Sequence, residues 1–356
     1  MVLLLSLAAL TLAGSGLGRA EEPLESPNIT IGGFIAYSYT FNDDLADSPF
    51  FFSPDNPNER NFDLKSEIDI GVRWDWASAR FDLNIPADFN EDTGILNESD
   101  EIGIEQARFD LMPPFGKGIN LTLTGGVFNA PIGLQHQDPD QRDSITDGLQ
   151  FGMVPSNLFG LDIAGGNEII WFGAIIANEW RTDADEQLTF GAHIKWTLTD
   201  KFNLSAAGLW SSEAIGDNYV INSVASTAVI PWINLDIEGT VNDKNYAAGT
   251  AIRIARPEHP QCGAALRYEK VWASAGSDFT DRFYFSHLAL FDLAGTFFTV
   301  PDEDHDFDLL SLTLYTEPLR NLKLQTEGRA TRAEIDGPGG DEKNYYSLVA
   351  RATYSF

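Results

Sequence analysis

Phe62-Asp63-Leu64-Lys65-Ser66-Glu67-Ile68-Asp69-Ile70-Gly71-Val72-Arg73-Trp74 alternates residue by residue. Phe62, Leu64, Ser66, Ile68, Ile70, Val72 and Trp74 fall on one side of an extended chain. Asp63, Lys65, Glu67, Asp69, Gly71 and Arg73 fall on the other, because successive strand side chains point to opposite faces. The same period returns over 79–87, where Phe81, Leu83 and Ile85 oppose Arg80, Asp82 and Asn84. It recurs over 188–196, 233–239, 322–330 and 346–356, and helical spacing of apolar residues is not sustained after the N-terminal segment. The chain is all-β.

The strands run to ten or more residues, against a common length of about five or six. Their connections alternate in length. Residues 75–78, 113–118, 165–167, 199–201, 231 and 317–320 form tight turns rich in Pro, Gly, Asp or Asn, whereas 42–60, 89–101, 129–157, 178–187, 273–281 and 333–343 are longer and acidic. A soluble sandwich would have shorter strands and could not pack faces as charged as 63/65/67/69. Closing the sheet removes the edges that so many long strands would expose. The pattern therefore predicts a transmembrane antiparallel β-barrel of 16–18 strands, with short periplasmic turns and long acidic extracellular loops. The higher count includes two weak segments, 282–291 and 295–301. Trp74, Trp196, Trp210, Trp232, Trp272, Tyr39, Phe41 and Tyr315 lie at or near strand ends and are expected in the aromatic girdles of such a barrel.

Composition agrees. The 356 residues carry 53 acidic and 23 basic side chains, a formal charge of -30. Mean hydropathy is -0.16, too polar for a bundle of helices that each need about 20 apolar residues. Nucleic acid is excluded as a partner, since its footprint is basic. A single cysteine, Cys262, excludes a disulfide framework. Val2–Ala13, followed by Gly14-Ser15-Gly16 and then Gly18-Arg19-Ala20, has the form of a secretory signal peptide, although no basic residue follows Met1. The expected organisation is a signal peptide over 1–20, a short periplasmic segment over 21–28 and the barrel over 29–356.

Two further features carry a resemblance. Tyr346–Phe356 alternates and ends on Phe356, with Tyr354 two places before it, like the terminal strand by which bacterial outer-membrane proteins are recognised for assembly. Gly126-Val127-Phe128-Asn129-Ala130-Pro131-Ile132-Gly133-Leu134, with Asp143-Ser144 and Phe159-Gly160 beyond it, resembles the β-barrel porin family of OmpL-like proteins and, more distantly, the phosphate-selective porins. Gln135 stands where that family often has an acid. The resemblance implies a bacterial outer-membrane porin that passes ions and small hydrophilic solutes by diffusion. The partners it implies are outer-membrane lipid, the outer-membrane assembly machinery, the solutes and a homotrimer.

On this reading, Lys65, Arg73, Arg80, Arg108, Lys195, Arg253, Arg267, Lys323, Arg329 and Arg351 line the pore. So do Asp63, Glu67, Asp69, Asp82, Asp110, Asp236, Glu238, Glu269 and Glu327. The wall is nearly neutral and most of the negative charge lies in loops, which predicts at most a weak cation preference. The loop over 129–157 is long enough either to fold inward or to cap the mouth. If it folds inward, Asp138, Asp140, Arg142 and Asp143 supply the constriction charges. No cofactor, metal site or catalytic residue is expected. The five histidines show no ligand spacing, and Ser286 and His287 are strand neighbours that face opposite ways. The acid runs 183–186 and 302–306 read as solvated loop charge. The competing function is a surface-interaction or anchoring barrel with an occluded lumen.

Overall fold

The computed structural model describes residues 27–42, 61–87, 89–90, 95–96, 103–114, 118–134, 141, 143–145, 148–178, 188–213, 216–242, 245–255, 261–274, 305–335 and 342–356. Sixteen strands close into one antiparallel barrel. The first eight are β1 (Asn28–Asn42), β2 (Asn61–Arg73), β3 (Ala77–Ala87), β4 (Gly103–Leu111), β5 (Asn120–Asn129), β6 (Asn157–Gly166), β7 (Ile170–Asn178) and β8 (Leu188–Thr199). The rest are β9 (Phe202–Glu213), β10 (Gly216–Ile230), β11 (Ile233–Asn242), β12 (Asn245–Ala255), β13 (Cys262–Ala273), β14 (His305–Leu319), β15 (Leu322–Ile335) and β16 (Glu342–Ser355). Each strand pairs with its sequence neighbours, and β1 pairs with β16 from Phe34↔Ser355 to Asn42↔Ser347. A two-residue ladder, Phe89–Asn90 with Ile95–Leu96, stands apart from the barrel.

The count settles at sixteen. The candidate strands 282–291 and 295–301 lie outside the described residues, and β13 pairs directly with β14 from Cys262↔Thr316 to Ala273↔His305, leaving no place in the wall between them. Connections at the rim holding the β2–β3 turn are short throughout. Those at the opposite rim are mostly longer, but β9 to β10 and β11 to β12 are joined by only residues 214–215 and 243–244, and β15 to β16 by 336–341, no longer than 256–261 on the short-turn rim.

Burial inverts the usual order of a globular protein. The outward face of the strands is an exposed belt of large apolar residues, including Ile31, Phe172, Ile194, Ile237, Leu310, Leu312, Leu314 and Leu348, whereas Thr189, Ser211, Asn222, Thr240, Ser311, Thr313 and Thr353 are buried on the inward face. A sheet with this polarity is stable where hydrocarbon surrounds it, since every ladder group is paired and no edge is left open. Aromatic rings sit near both rims. Trp74, Trp76, Trp196 and Trp232 are exposed toward the short-turn rim, while Phe190 stacks on Trp210 and Tyr246 on Trp272 toward the other, with ring centroids 6.3 Å and 5.2 Å apart.

Tyr315 is an exception to the girdle expectation. Along β14, Phe307, Leu309, Ser311 and Thr313 are buried and Leu310, Leu312 and Leu314 exposed, so the odd positions, Tyr315 among them, face inward. The Lys323 ammonium lies 5.5 Å from its ring centroid.

Candidate functional site

The inner face collects the charged side chains. On β2 to β4, Lys65, Glu67, Asp69 and Arg73 share a face with Arg80, Asp82, Arg108 and Asp110, as the register Asp69↔Asp82, Gly71↔Arg80 and Arg80↔Arg108 requires. Arg80 Nε donates to both Asp82 oxygens at 2.7 and 2.8 Å, and its Nη2 lies 3.6 Å from Asp69. Gln106 Nε2 also donates to Asp82. Asp110 accepts from Ser78 at 3.0 Å and from Thr124 at 2.7 Å, with Arg108 Nε at 3.6 Å. The Asp63 side chain lies outside the described residues.

Across the barrel, Asp236 and Glu238 of β11, Arg253 of β12, Arg267 and Glu269 of β13, Lys323, Glu327 and Arg329 of β15 and Arg351 of β16 occupy inner positions. Lys195 does the same on β8, in step with buried Thr189. Arg253 bridges Asp236 at 2.9 Å and Asp143 at 3.3 Å, and Arg267 lies 3.8 Å from Glu327. Arg329 Nε donates to Thr331 at 3.2 Å.

The connection between β5 and β6 runs into the barrel, and it does so through its own backbone. Gly133 N–H donates to Asn222 at 3.2 Å and Leu134 N–H to Glu238 at 3.0 Å. Ile145 N–H donates to Glu327 at 2.5 Å, and the amides of Leu149 and Gln150 both donate to one oxygen of Glu269, the latter at 3.3 Å. Carbonyls are held in turn: Arg351 donates to those of Ser144 and Ile145 at 3.3 Å, and Gln325 to that of Asp143 at 3.3 Å. Three buried carboxylates on β11, β13 and β15 thus satisfy loop amides that would otherwise need water. A charge-assisted N–H···O bond of this kind contributes about 1.5–3 kcal/mol.

Apolar contacts complete the docking. Leu149 and Met153 pack with Ala247, Val271, Ala273, Phe307 and Leu309, while Ile132, with Ala130 and Val154 beside it, packs with Phe128, Leu158, Ile175, Leu209 and Val220. The wall is therefore not polar along its whole inner face; its apolar patches lie under the loop. Two glycines of the 126–134 motif, one inside β5 and one in the loop, take backbone conformations that side chains rarely adopt. Gly126 has φ +114° and a Cβ there would stand 2.1 Å from the Ala107 carbonyl oxygen, and Gly133 has φ +90°. Among the constriction candidates, Asp143 meets Arg253, while Asp138, Asp140 and Arg142 lie outside the described residues, as do Ser286, His287 and the runs 183–186 and 302–304.

Several inward residues escape a search for charge runs. His193 Nε2 sits 3.1 Å from both oxygens of Asp162, in space kept by Gly173, where a Cβ would come within 2.2 Å of the same nitrogen. Asn222 donates to Glu238 at 2.7 Å and Thr240 at 2.9 Å, and Thr240 donates to Gln150 at 2.8 Å. Alternation alone could have found Asp162, His193 and Asn222, since each is flanked by apolar or small residues within a strand. At the end of the chain, Tyr354 is exposed on the outer face and Phe356 N–H donates to the Gly33 carbonyl at 3.0 Å. Among the described residues one group has the composition of a metal site: Glu67, Asp69 and Asp82, each of which brings one carboxylate oxygen within 4.8 Å of one from each of the others.

No protein-family model matches the chain, and no curated protein matches it in sequence. Solved structures do match it. The outer membrane channel DcaP of Acinetobacter baumannii superposes with a TM-score of 0.58 at 10% identity, over 96% of this chain and 100% of that one. OmpT, an outer membrane protein of Vibrio cholerae in its trimer form, gives 0.59 at 10% over 93% and 100%, and OmpF of Salmonella typhi in complex with daunomycin gives 0.59 at 10% over 92% and 97%. The chain has the fold of the outer-membrane porins. At this identity the likeness speaks to the closed sixteen-strand barrel alone, and does not distinguish an OmpL-like or phosphate-selective kind.

Proposed function

We propose that the chain is a porin of the bacterial outer membrane, through which ions and small hydrophilic solutes diffuse down their gradients. The observation that supports this best is the inversion of polarity: an apolar belt faces out, and rows of paired charge and buried hydroxyl and amide groups face in. A barrel of this strand number encloses room for water, and the docked loop narrows it to one side. The eighteen inward charges of β2–β4, β8, β11–β13, β15 and β16 then line the pore. On β2–β4, Arg80 and Arg108 remain partly accessible and orient passing solutes, while Glu238, Glu269 and Glu327 are engaged by the loop. The wall's near balance of charge gives at most a weak preference for cations, set by acids near the mouth. In this reading the short-turn rim is periplasmic, residues 1–20 are a cleaved signal, Tyr354 and Phe356 are read by the assembly machinery, and the chain catalyses nothing. A homotrimer would use part of the same belt that lipid covers.

The inward course of the loop also favours a second reading, a surface-interaction or anchoring barrel whose lumen is occluded. Conductance of the purified barrel in a planar lipid bilayer separates the two. Discrete ohmic steps support the porin. Their absence from a folded, bilayer-inserted sample supports the occluded barrel.

A further inference from the structure

The outer face carries a polar row where the apolar belt meets the long-loop rim. Lys270, Asp308, Arg332 and Asn344 stand opposite one another in register on β13, β14, β15 and β16, at even positions that point away from the lumen. Trp272 and Asp306 follow one step toward the rim, and Tyr268, Leu310, Ala330 and Tyr346 one step toward the middle of the belt. Aromatic rings on both sides put the row at the depth of lipid headgroups.

Asp308 and Arg332 are directly opposed and opposite in charge, a placement that favours a cross-strand pair. Among the described residues they do not bridge each other. Asp308 accepts from the Tyr268 hydroxyl at 2.6 Å and has Lys270 Nζ at 3.9 Å, while Arg332 Nη2 reaches along its own strand to Glu334 at 2.9 Å, among its other contacts. A groove of about 140 Å³ takes in both of them together with Tyr268, Ala330, Asn344 and Tyr346. Beyond its Ala330 floor comes Gly328, where a Cβ would meet nothing within 4 Å. The surface therefore stays low along β15, between Leu310 and Leu312 on one side and Tyr346 and Leu348 on the other. The trough is polar at the headgroup end and apolar along the belt.

We propose that this groove holds a membrane lipid with a phosphoethanolamine headgroup, its phosphate on Arg332, its ammonium on Asp308 and one acyl chain laid along β15. Charge complementarity chooses the occupant. Lys270 and Arg332 stand among Asp306, Asp308 and Glu334, two positive charges against three negative, so a phosphate alone meets more repulsion than attraction. A zwitterion finds its complement at both ends. Its phosphate and ammonium, joined by two carbons, are spaced much as directly opposed strand residues are, whose Cβ atoms stand about 4.5–5.5 Å apart. The Arg332–Glu334 pair is exposed and therefore weak, so a phosphate that binds the guanidinium through two oxygens can displace it. A single acyl chain fits a trough one strand wide, whereas the wall of a second barrel is too broad to enter it.

Native mass spectrometry of the full-length refolded barrel in detergent tests this, with dioleoyl phosphatidylethanolamine, phosphatidylglycerol and phosphatidylcholine as the probes. The wild type is expected to retain one phosphatidylethanolamine per chain about tenfold better than either of the others, which is the worth of about one charge-assisted hydrogen bond. The glycerol headgroup has no ammonium, and the choline ammonium has no N–H to donate. Asp308→Asn is expected to abolish the preference over phosphatidylglycerol, Arg332→Gln to weaken retention of phosphatidylethanolamine, and Ala330→Phe to fill the floor and eliminate the retained lipid. Should Ala330→Phe fail to fold, Ala330→Leu fills the same floor with a smaller side chain. Equal retention of phosphatidylethanolamine and either other lipid by the wild type overturns the proposal. So does undiminished retention in the folded variants. An Ala330→Phe barrel that keeps its lipid and changes its oligomeric state would show a second copy on this face, and overturns it as well. The proposal needs the barrel to sit in a membrane and not to conduct, so its failure is distinct from a failure of the current recording.

Discussion

Replacing Glu269 with alanine tests whether wall carboxylates hold the loop in the lumen. The side chain is buried on β13 and one of its oxygens receives the N–H groups of both Leu149 and Gln150. Removing it deletes two charge-assisted bonds of about 1.5–3 kcal/mol each. Lumen water can reach the freed amides and recover part of that, which leaves a cost of about 2–4 kcal/mol against the docked state. At 1.4 kcal/mol per factor of ten, the ratio of docked to undocked loop falls about 30- to 700-fold. Single-channel recording in planar bilayers reads this directly, as larger open-channel conductance or new flicker between two current levels. Gly148→Ala should reproduce part of the effect, because its Cβ would stand 2.4 Å from the other oxygen of Glu269. Glu269→Ala channels with wild-type conductance and wild-type noise, in a barrel of unaltered fold by circular dichroism, would refute the reasoning.

Three further outcomes are expected. Arg108→Glu places a negative charge on the inner wall where the wild type has a partly accessible positive one, so the reversal potential in a salt gradient should move toward cations by a few-fold in permeability ratio; an unmoved potential would place Arg108 outside the ion path. Leu312→Arg puts a charge in the middle of the exposed belt on β14 and should cost about 2–4 kcal/mol in urea unfolding from lipid vesicles, whereas Leu312→Phe should cost little. Gly126→Ala forces a side chain onto φ +114° against the Ala107 carbonyl; it should lower the thermal transition of the barrel in detergent, while Val127→Ala one position away should not.

Alternation made the barrel legible, and made the inward charges legible with it. The parity read from Phe62–Trp74 and Ala79–Ala87 is the parity of β2 and β3, because a strand's faces follow from its own residues. That logic fails where the pairing is irregular. The register slips between Asp82 and Leu83 opposite β4, so Ile104 is exposed while Gln106, two residues on, is buried. Counting back by twos from Arg108 and Asp110 reaches Gln106 correctly but would put Ile104 inside as well, and Gln106, being uncharged, escapes a search confined to charged side chains. Tyr315 was assigned by its place near a strand end, although its odd number on β14 already put it inside. The course of the loop could not be read at all. Its amides meet acceptors more than eighty residues away in the chain, and Leu149 or Met153 looks like any apolar loop residue until Val271 and Leu309 are seen beneath it.

Of the sixteen strand pairings that close the barrel, fifteen join consecutive strands and one, β1 with β16, joins the two ends of the chain. Hairpins can therefore form early and locally, but the last seam requires Ile35 to find Tyr354 across more than three hundred residues. Bringing such distant segments together has an entropic cost before any contact rewards it. The rate at which this polypeptide becomes a sealed cylinder is thus concentrated in a single late event. Until it happens, both terminal strands are open templates for a neighbouring copy, and helpers that shield those two borders will speed maturation more than any that act on the hairpins between them.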